Sequence, residues 1–257
     1  LPEGITTIGE YAVGGCKQLL SITIPEGVAS VGKGAFSKCE ELTEISIPTS
    51  VSYIGAEAFQ LCYKLTDVTI PEGVTTIEPK TFFNCNSLKR VSIPDSVTTI
   101  SDNAFSVCPS LTDITIPESV TKIGQGAFGG CKWLKEIAIP EGVTALYDYT
   151  FSGCERLSTL SLPSTLTSIG SRTFYSCRVL KEVTIPQSVS TIGDSAFAHC
   201  QWLEAVHCKS TTPPTISDNT FSECAEGLTI YVPIGCGQKY KSAEGWSSYQ
   251  EAIVEQE

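Results

Sequence analysis

Proline returns every 23 residues through most of this chain, at Pro2, Pro25, Pro48, Pro71, Pro94, Pro117, Pro140, Pro163 and Pro186. A fixed period of this length marks stacked repeats rather than separate globular domains. Three more columns keep the same step. Cysteine runs from Cys16 and Cys39 to Cys177 and Cys200. Phenylalanine lies three residues before it from Phe36 to Phe197, with Val13 in the first copy. Leucine lies three residues after it from Leu19 to Leu203. Four columns held in register over nine copies leave little room for any other architecture.

One unit runs from Leu42 to Lys64 as LTEISIPTSVSYIGAEAFQLCYK. The Ile45–Ser46–Ile47 alternation has a period of two, which predicts a strand. Pro48 ends it, because proline has no ladder N–H. Val51, Ile54 and Gly55 predict a second short extended piece. Glycine holds the Gly55 column in six of nine copies, the pattern expected where φ must be positive. The Phe59–Cys62 segment is too short for a regular helix and predicts a turn or 3₁₀ piece.

A single unit offers six or seven apolar side chains. Each is worth roughly 1.5–3 kcal/mol when fully buried, against an ordering cost of similar size for the unit. Stacking must therefore supply the stability, each column lying over itself one coil away. With a rise of ~4.8 Å per coil, about ten coils make a solenoid on the order of 50 Å long.

The period slips after Cys200. Lys209 stands where proline is expected, Ser210–Pro214 reads as a loop, and Phe221 and Cys224 resume the signature one residue late. The expected organisation is a solenoid over residues 1–233, irregular at 201–233, followed by a C-terminal cap over 234–257. Trp246, Tyr249 and Ile253 have the spacing of one helical face and predict a capping helix that blocks end-to-end growth. The chain opens at Leu1 in mid-unit and contains no Met. It reads as starting inside a longer gene product or after processing, with its N-terminal cap elsewhere.

The unit LxxIxIPxxVxxIGxxAFxxCxx resembles the BspA-type leucine-rich repeat, found in surface proteins of oral, gut and parasitic microbes. The resemblance covers residues 1 to about 233. The ending Ile230–Pro233, followed by a Tyr- and Trp-bearing segment, is similar to that of gut-bacterial members. The resemblance implies a leucine-rich-repeat solenoid that is secreted or attached to a bacterial cell surface and binds extracellular proteins or glycans. It implies no catalytic residue at any position here.

Composition narrows the partners. The chain has 17 basic and 28 acidic side chains, for a net charge of −11, and no basic run. Phosphate backbones and anionic membranes select clustered Lys and Arg, so nucleic acid is not an expected partner. No apolar run reaches the 18 or more residues of a spanning helix, and no membrane insertion is expected in this segment.

The reactive residue types read as structural. The column cysteines lie 23 residues apart, unlike the close pairs of metal sites, and are expected as small buried hydrophobes. Cys208 and Cys236 fall outside the column and are left as disulfide candidates. His199 and His207 neighbour cysteines in sequence, but a Cys–His pair needs contact and a third orienting group, and none is in view. No HExxH, GxSxG or phosphate-binding Gly loop occurs. The acidic column after proline, from Glu3 to Glu141, gives one carboxylate per coil, too few for calcium. No metal or cofactor is expected.

The candidate ligand surface lies where the repeat departs from itself. The second residue after each cysteine is polar in the early copies, then reads Trp133, Arg156, Val179 and Trp202. Exposed Trp and Arg on successive coils are typical binding hot spots. Tyr147 and Tyr149 also break the pattern, Tyr147 standing in the glycine column. Three readings follow: an interaction module with one patch of departures, a spacer projecting another domain from a cell surface, or an enzyme with a polar pocket. The first is preferred.

Overall fold

The computed structural model describes residues 1–256, and the fold is a stack of 23-residue coils. Most coils make two short strands. Eleven strands, from Ser21–Thr23 to Ile253–Gln256, line one side, and nine two-residue strands, from Thr7–Ile8 to Thr191–Ile192, line a second. All pairings are parallel and shift by one repeat, as in Ser21↔Glu44, Ile22↔Ile45 and Thr23↔Ser46.

The columns form one continuous interior. Phe36 to Phe197 are fully buried, as are Cys39 to Cys200 and Leu42 to Leu203. Consecutive Phe rings stack with centroids 5.2–5.6 Å apart and planes within 16°, and Phe221 extends the ladder beyond Phe197. Spacing of this kind gives each pair roughly 0.5–1.5 kcal/mol beyond burial. From Cys39 to Cys200 each column cysteine also donates its Sγ–H to a carbonyl in the coil before: Cys62 to Phe36 at 3.2 Å, Cys85 to Phe59 and Cys108 to Phe82 at 3.1 Å. Cysteine thus fills the volume of a small hydrophobe and also acts as a weak donor. All twelve cysteines, Cys208 and Cys236 among them, are free thiols in this structure.

The third side of each coil, the turn segment, holds the stack together. Gly34, Phe36 and Lys38 donate their N–H groups to Ala56, Ala58 and Gln60 of the next coil at 2.8–2.9 Å, while Ala35, Ser37 and Cys39 donate back within their own coil. Alternation of this kind requires the left-handed conformation twice per coil. One such column is Gly34, Glu57, Lys80, Asn103, Gly126, Tyr149, Arg172 and Ser195. The other is Lys38, Leu61, Asn84, Val107, Gly130, Gly153, Ser176 and His199. Each non-glycine there costs roughly 1–2 kcal/mol. The ladder continues through every coil step from Val13 to His199.

The strand ladders are less continuous. Among the described residues, Glu44–Ser46 is not paired with Asp67–Thr69, nor Asp113–Ile114 with Glu136–Ala138, nor Thr159–Ser161 with Glu182–Ile185. On the short-strand side the pairing lapses at Tyr53–Ile54/Thr76–Ile77 and at Lys122–Ile123/Ala145–Leu146.

The glycine column does not have the conformation expected from sequence. Gly32, Gly55, Gly124, Gly170 and Gly193 all lie outside the positive-φ set. The reason for glycine is space: a Cβ on Gly55 would sit 2.7 Å from the Lys33 nitrogen, and one on Gly170 would sit 2.6 Å from the Asp148 nitrogen. These glycines let neighbouring coils touch backbone to backbone, and their N–H groups donate one coil back. Ser101 keeps this bond. Glu78 and Tyr147 carry larger side chains, make no such bond among the described residues, and sit where the two short-strand ladders lapse.

The C-terminal segment packs on the last coil. Gly237–Lys241 is a short α-helix and Trp246–Ala252 a 3₁₀ helix. Trp246 and Tyr240 are fully buried. The Trp246 Nε1–H donates to the Pro214 carbonyl at 2.7 Å, and the Tyr240 hydroxyl to that of Ser210 at 2.8 Å. Ile253 is not on the helical face predicted with Trp246 and Tyr249. It opens a strand, Ile253–Gln256, paired with Thr229–Pro233. The open backbone edge of that last repeat strand was better satisfied by a ladder than by a longer helix.

Candidate interaction surface

Trp133, Arg156 and Trp202 all project from the corner where the turn segment meets the long strand. Coil-to-coil bonds fix that corner: Trp133 donates its N–H to Pro109, Arg156 to Lys132 and Trp202 to Arg178, each at 3.1 Å. Trp133 is 48% exposed and Trp202 55% exposed, far above the column residues beside them. The Arg156 guanidinium lies 4.6 Å from the Trp133 ring centroid, and the Lys181 ammonium 5.9 Å from that of Trp202. Half-buried Val179 stands between the two clusters. Beside this edge, Glu155 pairs with Lys132 at 3.2 Å and Arg178 at 3.6 Å, one acid bridging the coils on either side. Trp202 and Val179 also wall an open depression whose rim carries Lys181, Glu182 and Glu204.

Tyr147 and Tyr149 lie elsewhere, at the start of the turn segment. Tyr147 is 45% exposed. It walls a second depression that runs along the stack over Gly170 and Gly193. Tyr149 has positive φ and accepts a 3.3 Å hydrogen bond at its hydroxyl from Arg172. The Arg172 guanidinium is 5.8 Å from both the Tyr149 and Tyr175 rings, and Tyr175 meets His199 edge-on at 5.0 Å. The structure therefore separates the five sequence candidates into two surfaces. It also adds Arg172, Tyr175 and Lys181, which sequence reasoning missed. Tyr175 was findable: its column reads Ser106, Gly129 and Ser152 in the three coils before it.

The two histidines pack against tyrosines. His207 stacks on Tyr231 with centroids 4.8 Å apart, and His199 meets Tyr175. Burial pushes the Cys108 and Cys154 thiols up to about 12, the reverse of an activated nucleophile. No group of three or more His, Cys, Asp or Glu side chains among the described residues is arranged to hold a metal ion. No helix among them is long and apolar enough to cross a membrane.

Comparison with known proteins agrees with the coil geometry. The family model for the BspA type leucine rich repeat region matches residues 1–112 and 98–227, in six copies. The chain belongs to the BspA-type leucine-rich-repeat family. No curated protein matches it. Among solved structures, this BspA-type chain is similar to a leucine-rich repeat protein from Bacteroides ovatus. The two share 29% identity over 92% of this chain and 68% of that one, with a TM-score of 0.67. It is also similar to a leucine rich cell surface protein from Faecalibacterium prausnitzii, with 29% identity over 94% of this chain and 80% of that one and a TM-score of 0.53. The pneumococcal vaccine antigen PcpA shares the fold, at 18% identity, over 99% of this chain and 76% of that one, with a TM-score of 0.61.

In this BspA-type chain the repeated Phe, Cys and Leu columns are buried, and several positions that vary are displayed. Trp133, Arg156, Trp202 and Tyr147 are all of the second kind.

Proposed function

We propose that this chain is a non-enzymatic interaction scaffold, secreted or held at a bacterial cell surface, whose partner docks along the Trp133–Arg156–Trp202 edge. The observation that carries this reading is a pair of half-exposed indoles on one edge, three coils apart, each with a cation near its ring. The cations favour a protein partner. Trp and Arg dominate protein hot spots, whereas a sugar needs an indole face that is not already covered. The similarity to a leucine rich cell surface protein from Faecalibacterium prausnitzii supports the location.

The test is a binding screen of the immobilised chain against extracellular-matrix and host-surface proteins, run in parallel with a glycan array. The expected result is a saturable protein partner whose affinity falls about 30-fold or more in Trp133→Ala or Trp202→Ala, the effect of losing about 2 kcal/mol at a hot spot. Unchanged binding in both variants removes the edge from consideration. Glycan binding lost in the same variants changes the partner class. A chain that binds nothing in either screen is the outcome expected of a spacer.

A further inference from the structure

We propose that the depression beside Tyr147 is a carbohydrate subsite for a neutral glycan, separate from the Trp133–Trp202 edge. The first support is the cost of the residue. Six other coils have glycine in the Tyr147 column, and at all of them but Gly9 a Cβ would crowd the previous backbone. Tyr147 gives up the coil-to-coil bond that Gly32, Gly55, Gly124, Gly170 and Gly193 make, and the short-strand ladder lapses beside it. A departure that weakens the stack and leaves the side chain exposed is the mark of a displayed residue. Glu78 makes the same departure, but it is half-buried and is followed one coil on by Ser101 rather than glycine.

The second support is the shape. The next two coils carry Gly170 and Gly193, so no side chain blocks the trough that Tyr147 walls. The open depression measures about 420 Å³, and Thr215 of the irregular coil closes its far end. Three coil steps separate Tyr147 from Thr215, roughly 14 Å at strand spacing.

The third support is the chemistry of the lining. The wall is one aromatic ring; among the described residues no cation or second ring lies against it, in contrast to the indoles of the other edge. The rim is polar, with Asp148, Ser168, Thr191 and Thr215. The Asp148 carboxylate is fixed by a 2.7 Å bond from the Ser171 N–H to one oxygen, which leaves the second oxygen to accept from a ligand. A pyranose presents an apolar C–H face and a ring of hydroxyls. One aromatic wall with convergent hydroxyl and carboxylate partners matches both. The Asp148 charge and the net charge of −11 disfavour sialylated or uronic sugars.

The experiment is ligand-observed NMR and calorimetry on the full chain. The neutral probes are chitotetraose, cellotetraose, mannotetraose and lacto-N-tetraose, and sialyllactose is the anionic probe. At least one neutral tetrasaccharide is expected to saturate with a dissociation constant on the order of 1 mM. Tyr147→Gly, which installs the residue of six other coils and so keeps the fold, is expected to weaken it at least tenfold. Tyr147→Phe and Trp202→Ala are expected to keep it. No binding by any neutral probe, or equal binding by Tyr147→Gly, overturns the proposal. Loss in Trp202→Ala alone overturns it by moving the sugar to the other edge. Sialyllactose binding as well as the neutral probes overturns the neutral assignment. The neutral-probe, sialyllactose and Tyr147 outcomes leave the protein-docking reading untouched, because it rests on the two tryptophans; sugar binding lost in Trp202→Ala bears on both.

Discussion

The Sγ of Cys131 donates to the carbonyl oxygen of Phe105, 3.3 Å away in the preceding coil. The same contact recurs up the column, and burial holds these thiols protonated far above their ordinary range, Cys108 and Cys154 to about 12. The unfolded chain ionises its thiols near 8.5. The stabilisation is therefore complete below about pH 8.5 and is lost as pH rises toward the folded values. Each buried thiol contributes a slope of about 1.4 kcal/mol per pH unit in that window. Urea midpoints are expected to hold level from pH 7 to 8 and fall steeply above 9. Iodoacetamide at pH 8 is expected to label exposed Cys16 in the native chain and the buried column only after unfolding. A midpoint flat to pH 11 contradicts this.

Gly124→Ala is expected to destabilise by about 1–3 kcal/mol, the usual range for overpacking. Its Cβ would lie 2.5 Å from the Asp102 nitrogen and 2.7 Å from the Ser101 carbonyl carbon, backbone that can move only by parting the coils. Gly227→Ala meets nothing within 4 Å and is expected to change stability by less than about 0.5 kcal/mol. Urea melts of the two variants compare them directly.

Val107 is β-branched, 40% exposed and left-handed, with φ 58°. Gly130 and Gly153 hold the same column in the next two coils. Val107→Gly is expected to stabilise the chain by up to about 1 kcal/mol, the relief of strain exceeding the added unfolded-state entropy. A lower melting temperature in the variant refutes the strain.

The first coil exposes what later coils bury. Cys16 is exposed and Val13 and Leu19 half-buried, while Phe36, Cys39 and Leu42 are fully buried one coil on. Fusing one consensus unit in register ahead of Leu1 is expected to raise the melting temperature by several degrees and to protect Cys16 from iodoacetamide, because stability in such arrays grows with each interface.

The repeat made the core legible before any coordinates. The Phe, Cys and Leu columns are the interior, and Trp133, Tyr147 and Trp202 are outside because they vary. The binding of coil to coil was not legible in the same way. A period says which residue lies over which, but not which N–H crosses to the neighbour, so the left-handed positions at Glu57 and Leu61 were marked only by scattered glycine and asparagine in their columns, such as Gly34, Asn103, Asn84 and Gly130. Gly55 misled for the same reason: a tight approach and a positive φ select the same residue. Ile253 misled because a spacing of four fits both a helix and a short 3₁₀ piece that ends in a strand. Lys181 was missed because its meeting with Trp202 depends on where two coils place their corners.

The turn-segment bonds run from coil to coil, so they lie along the length of the rod. A pull on the two ends loads those rows in series, and the rows open one after another rather than resisting together. Each coil that lets go frees 23 residues, roughly 80 Å of slack at full extension. A protein built this way yields to tension by paying out line in equal increments, and the portion still wound keeps its indole edge and its tyrosine trough presented.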